Sequence, residues 1–260
     1  MSLFLIPPNN CDKIEKKMND FWWGQGANSS GIRWMAWYKL CVSKYGGGVE
    51  VRNLRCFNTA MLAKQGWRIL TEAHSLVSKL MRARYFPDTD LLNARLGVNP
   101  SYLWRSILST QDAIKVACRR SIGDGTSTKV WKVPWLPCAG NGYVSTNLVP
   151  ELQNINVQNL MDIDKTNTWD NDVLDDLFND RDRQLIPRVP ISFRRRCDAW
   201  FWLFNPKDQF AVRSMYKKLQ GPHEMVLRSF WHQLWNLKIP VKLLVFYGLS
   251  ARDVYQRCWP

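Results

Sequence analysis

Paired cysteines, histidines and long apolar runs are all scarce in this 260-residue sequence. Its seven cysteines stand at positions 11, 41, 56, 118, 138, 197 and 258, no two close together and none in a Cys-x-x-Cys pair. That spacing excludes a disulfide scaffold and a zinc ribbon, and it fits a reducing compartment. The three histidines, His74, His223 and His232, are too few and too scattered for a close four-ligand zinc set. No apolar stretch approaches the roughly 20 residues that span a bilayer. The short apolar run at the N-terminus has no basic segment before it and is broken by Pro7-Pro8, so it does not read as a signal peptide. The expected setting is intracellular, nuclear or cytoplasmic, neither secreted nor on a membrane.

Clustered carboxylates are also missing. Two-metal phosphoryl chemistry needs several acids converging on one point. The only adjacent aspartates are Asp175-Asp176, inside Val173-Leu174-Asp175-Asp176-Leu177-Phe178. The apolar residues there recur at helical spacing, so the pair reads as the solvated face of a helix. Beyond Arg183 only Asp198, Asp208, Glu224 and Asp253 remain, with no nuclease pattern. Gly46-Gly47-Gly48 lacks the following Lys-Ser/Thr of a phosphate loop and reads as a turn. No enzyme activity, cofactor or metal is expected.

Aromatic residues and positive charge, by contrast, are abundant. The chain holds 14 tryptophans and a net charge of +14. Residues 1–150 carry 20 basic and 9 acidic side chains, a net +11. Residues 151–182 carry 2 and 9, a net −7, and residues 183–260 carry 14 and 4, a net +10. A basic excess of this size favours polyanions, nucleic acid above all. The candidate contacts are Arg194-Arg195-Arg196 beside Trp200 and Trp202, Arg119-Arg120, and Lys79 and Arg82, with Lys64, Arg68 and Arg84 on the same two helical stretches. Clustered cations neutralise phosphates and aromatics stack on unpaired bases. The competing account is that the tryptophans are core and the arginines pair with the acidic segment 151–182.

Periodicity predicts a mainly helical α+β protein with two small β-hairpins. Ile14, Met18 and Phe21 or Trp22 mark a basic amphipathic helix, and Phe57, Ala60, Ala63, Trp67 and Leu70 a second. Leu76, Val77, Leu80 and Met81 form the apolar stripe of a third, closed by Pro87, and Ser101 is placed to cap a fourth. Hairpins are expected at 121–131, turning at Gly123-Asp124-Gly125, and at 199–212, turning at Asn205-Pro206-Lys207-Asp208. Three segments are expected: a helical region 1–137 ending in a hairpin, an irregular acidic linker 138–182 with one short helix, and a region 183–260 of a hairpin plus helices.

Several blocks in fixed order carry a family resemblance. They are Phe21-Trp22-Trp23-Gly24, the glycine triplet, Ala83-Arg84-Tyr85-Phe86-Pro87, Ile122-Gly123-Asp124-Gly125, Trp131 with Pro134-Trp135-Leu136-Pro137, and Leu234-Trp235-Asn236-Leu237-Lys238-Ile239-Pro240. Together they resemble the reverse transcriptase polyprotein of plant LINE-type (non-LTR) retrotransposons, in the part downstream of the polymerase. The resemblance implies that 183–260 runs into a truncated reverse transcriptase zinc-binding domain, in which only Cys258 stands where a first ligand would. It also implies a parent with polymerase and ribonuclease H domains, whose catalytic acids have no counterpart here. The expected function is a non-catalytic fragment binding RNA or RNA–DNA hybrid without sequence preference, with the missing polymerase part as a further partner. The alternative is an inactive remnant with no nucleic-acid role.

Overall fold

The computed structural model describes residues 2–26, 29–138, 140–162, 168–191, 196–221 and 228–258, with the side chains of 25–30, 228, 249 and 251–258 left outside the description. In chain order the helices and strands begin with α1 (Pro8–Trp23), β1 (Gln25–Gly26), β2 (Ser29–Ser30), α2 (Trp37–Leu40), α3 (Leu54–Thr71) and α4 (Leu76–Tyr85). They continue with α5 (Tyr102–Leu108), α6 (Gln111–Ala117), β3 (Cys118–Ser121), β4 (Met161–Asp162), β5 (Thr168–Trp169), α7 (Asn171–Leu177) and α8 (Asp180–Leu185). Last come β6 (Ala199–Trp202), α9 (Val212–Gln220), α10 (Arg228–Trp235) and α11 (Val241–Cys258). The protein is α+β and mainly α, as its periodicity predicts.

Contacts group the chain into two units, residues 1–61 with 216–260, and residues 62–215. In the first unit Trp23, Met35, Trp37, Leu40, Cys41 and Val245 form the core. The glycine triplet is a turn, and more than a turn. Gly47 has φ of 87°, and a Cβ there would lie 2.5 Å from the ring of buried Trp231. Three partners hold the start of α3. Asn53 caps it by accepting from the Cys56 N–H, Glu15 accepts from the Leu54 N–H at 2.7 Å, and the Tyr216 hydroxyl accepts from the Asn53 N–H. These serve donors that a helix end leaves without intrahelical partners.

The second unit has two cores. One surrounds Trp104, fully buried and stacked on Tyr85 and Phe86, with ring centroids 4.8 and 5.4 Å apart. Ser101 caps α5 as expected, its hydroxyl accepting from the Trp104 N–H. The other core takes in part of the acidic segment. Val144, Val157, Leu160, Leu174 and Phe178 are buried together with Ile122, Val130, Trp135, Leu136, Ile186 and Val189. The acidic segment thus supplies part of a hydrophobic core, with one of its acids, Asp182, buried as well.

One amphipathic assignment is met in part and another is corrected. In α1 Met18 and Trp22 pack against the core as expected, beside buried Cys11, Asn19 and Trp23, while Ile14 and Phe21 are 42% and 86% exposed. In α4 the helix buries Ser78 and Met81, and Leu76 and Leu80 are 82% and 63% exposed. For α4 the Tyr85–Trp104 stack and the Ser75–Ser78 hydroxyl contact sit on the buried side.

The strands pair differently from expectation at the two predicted sites. β3 and β6 pair with each other, antiparallel, in the register Cys118 to Trp202, Arg119 to Phe201, Arg120 to Trp200 and Ser121 to Ala199. The short local pairs are β1 with β2 and β4 with β5. The reason lies in Asp198, 8% exposed, immediately before β6. Its carboxylate accepts from the N–H groups of Gly123 (2.7 Å), Gly125 (2.9 Å) and Ser127 (3.2 Å), and from the hydroxyls of Ser127 (3.0 Å) and Thr128 (2.6 Å). Donors that a hairpin would spend locally converge instead on one distant acid. The two glycines allow it: a Cβ at Gly123 would lie 1.7 Å from the Arg196 carbonyl oxygen, and Gly125 has φ of 69° against Gln158.

Burial opposes ionisation of Asp198, but the hydrogen bonds from Thr128, Gly123, Gly125 and Ser127 outweigh it and hold the carboxyl below the usual carboxylate range. A carboxyl depressed in the folded state stabilises fully above its unfolded value, about 3.9, and loses that contribution as pH falls through the folded value. Asp198→Ala is therefore expected to cost about 2–4 kcal/mol at pH 7. Urea melts followed by circular dichroism should show the gap between native and variant narrowing below about pH 4. A gap that stays constant into acid would contradict this role.

Candidate nucleic-acid interface

The cations singled out from sequence fall into three situations. Arg119 is 1% exposed and serves the fold. Its Nη1 donates to the carbonyls of Cys118 (2.7 Å), Val116 (3.2 Å) and Lys115 (3.4 Å), and its Nη2 to those of Cys138 (2.7 Å) and Gly140 (3.1 Å). It closes the C-terminal end of α6, where carbonyls lack partners and a cation is favoured. Burial lowers its pKa. Trp202 is likewise core, fully buried, its indole N–H donating to Ser214 Oγ and its ring against Trp67 and Phe210. Neither residue faces solvent, which corrects their assignment as contact residues. Adjacent Arg119 and Arg120 point to opposite faces of β3, while Trp200 and Trp202, two apart on β6, share a face on which Trp202 is the buried one.

Arg120 and Trp200 are brought together. They are register partners across β3 and β6, and the guanidinium lies 5.1 Å from the ring centroid. Arg120 Nη2 donates to Ser127 Oγ (2.8 Å) and Nε to Thr128 Oγ1 (3.4 Å), the hydroxyls that also donate to Asp198. Burial lowers the Arg120 pKa, while the charges of Asp198 and Asp124 work the other way. Both residues are half-buried, and Arg196 is exposed. Arg194 and Arg195 lie outside the described residues.

Lys79 and Arg82 are exposed on α4, three residues apart and so on neighbouring positions of its surface. Among the described residues, no ion pair involves either. The acidic segment makes its ion pairs with near neighbours in sequence: Asp182 with Arg181, and Asp175 and Asp180 with Arg183. The pair Asp175-Asp176 is exposed on α7. Among the described residues, no group of three or more His, Cys, Asp or Glu side chains is placed to hold a metal ion. His223 and the Cys258 side chain lie outside the description. No described helix is long and apolar enough to cross a membrane.

A second basic and aromatic site was only half visible in the sequence. Lys64 and Arg68 stand out as cations, but the structure adds Trp67 from the same helix and Phe210 from beyond β6, around an open groove of about 550 Å³. Phe210 lies 143 positions beyond Trp67, and no local pattern links them.

The chain is 43% identical to the uncharacterised mitochondrial protein AtMg00310 of Arabidopsis thaliana over 137 residues, covering 52% of this chain and 89% of that protein. It belongs to the AtMg00310 family. It is also 26% identical over 270 residues to the Arabidopsis "Putative ribonuclease H protein At1g65750", covering 97% of this chain but only 42% of that longer protein. No family model and no solved structure matches the chain.

For this AtMg00310-family chain the two classes of cation should separate in a stability measurement. Arg119→Ala is expected to lower unfolding free energy by about 2–4 kcal/mol, since it strands several buried carbonyls. Lys79→Ala and Arg82→Ala should stay within about 0.5 kcal/mol of native. Thermal melts of the three variants would check this.

Proposed function

We propose that this chain is the part of a plant non-LTR retroelement polyprotein that follows the polymerase, and that it holds RNA or an RNA–DNA hybrid without cutting or copying it. Residues 231–242 are read within this proposal as the opening of a reverse transcriptase zinc-binding domain, and the polymerase part as a neighbour in the parent. The ordered sequence blocks support the lineage. So does the alignment of nearly the whole chain to less than half of a longer Arabidopsis relative whose name gives ribonuclease H. The observation that carries the binding function is the set of exposed cations, Lys79 and Arg82, that enter no ion pair among the described residues. Cations left uncompensated on the surface release counterions from a phosphate backbone, and that release is the main source of sequence-independent affinity. The half-buried Arg120 and Trp200 add a cation on an aromatic face beside exposed Arg196.

Titration of labelled single-stranded RNA and an RNA–DNA hybrid at several salt concentrations tests this. Affinity should fall linearly with salt on logarithmic axes. The double variant Lys79→Glu, Arg82→Glu should flatten the slope by about 1.4 on the single strand and about 1.8 on the hybrid, at about 0.7 and 0.9 per phosphate. Affinity absent or independent of salt would mean an inactive remnant instead.

A further inference from the structure

We propose that the groove along α3 is a seat for one unpaired nucleotide, so that the chain prefers single strands to duplex. The assignment presupposes the nucleic-acid contact proposed above and gives it a specific place. Lys64, Trp67, Arg68 and Thr71 stand at i, i+3, i+4 and i+7 and therefore share one face of α3. The opposite wall comes from Gln209 and Phe210, beyond the turn that follows β6.

The groove offers each part of a nucleotide a complement. Its aromatic wall is fixed: Trp67 is buried, packs edge-on against Trp202 at 5.5 Å and stacks on Phe210 at 6.0 Å with planes 29° apart. Phe210 itself is half-exposed and presents ring surface to the groove. Bases stack on such surfaces with little regard to identity. Lys64 is exposed and enters no ion pair among the described residues. Arg68 meets only Glu72, at 3.4 Å with both side chains about half exposed, a kind of surface pair that contributes little and is readily exchanged for a phosphate. Glu72 lies two turns beyond Lys64, about 12 Å along the helix axis at 1.5 Å per residue. Lys64 and Arg68 thus set cations along the groove beside its aromatic wall, placed for a phosphate while the base stacks. The volume of about 550 Å³ lies within the roughly 300–1,000 Å³ of small-molecule sites. A base paired and stacked in a duplex cannot enter a groove of this size.

The test compares a labelled homopolymeric single strand with an RNA–DNA hybrid of equal length, using the full chain. Lys64→Glu and Phe210→Leu, the latter keeping an apolar side chain against Trp202, should each weaken single-strand binding about 10-fold. Phe210→Leu should leave hybrid affinity and its salt slope unchanged, and Lys64→Glu should cost the single strand more than the hybrid. A photoactivated 4-thiouridine strand should crosslink to peptides containing Trp67 or Phe210 in the native chain. Equal losses on both ligands, or crosslinks confined to other peptides, would overturn the seat while leaving general binding intact. Failure of the native chain to bind either ligand would instead remove the nucleic-acid function itself, and the seat with it.

Discussion

A buried carboxylate with five donors around it organises the second unit. Asp198 collects the loop from Gly123 to Thr128, and in doing so delivers β6 to β3. The same contact decides where Arg120 goes, because the hydroxyls of Ser127 and Thr128 donate to Asp198 while accepting from the guanidinium. A charge taken out of water is costly unless its hydrogen bonds are restored. Here they are restored by backbone N–H groups that only a glycine-containing loop can bring so near. Asp182 repeats the device. It is fully buried and accepts from the N–H and hydroxyl groups of Ser145 and Thr146, with Arg181 at 2.9 Å.

Charge is therefore divided by role. Inside, Arg119, Asp182 and Asp198 each spend their charge on several protein partners and hold irregular backbone together. Outside, Asp175 and Asp180 of the acidic segment pair with their neighbour Arg183. The cations of α3, α4 and the β3–β6 ribbon are left to present the chain's positive excess to solvent. A solvated cation keeps its full attraction for a polyanion, whereas one already spent on carbonyls has none to offer.

The tryptophans divide in the same way. Trp23, Trp37, Trp131, Trp135 and Trp169 each donate the indole N–H to a backbone carbonyl at 3.0–3.2 Å while their rings fill the cores. An indole is large, apolar and able to satisfy one stray carbonyl, which suits cores built around short helices and long loops. Two half-buried aromatic side chains, Trp200 and Phe210, sit beside cations.

Sequence alone determined the class, the helices, several caps and turns, and the family resemblance, because these depend on periodicity and on local backbone chemistry. The cap at Ser101, the turn at Asn205-Pro206-Lys207-Asp208 and the helix from Leu54 to Thr71 are of that kind. Tertiary structure alone decided which face of α4 is buried, that β3 pairs with β6, and that Arg119 and Trp202 are core while Arg120 and Trp200 reach solvent. It alone brought Phe210 to Trp67. These depend on contacts between residues tens of positions apart, where one buried acid outweighs the local preference of a loop for closing on itself.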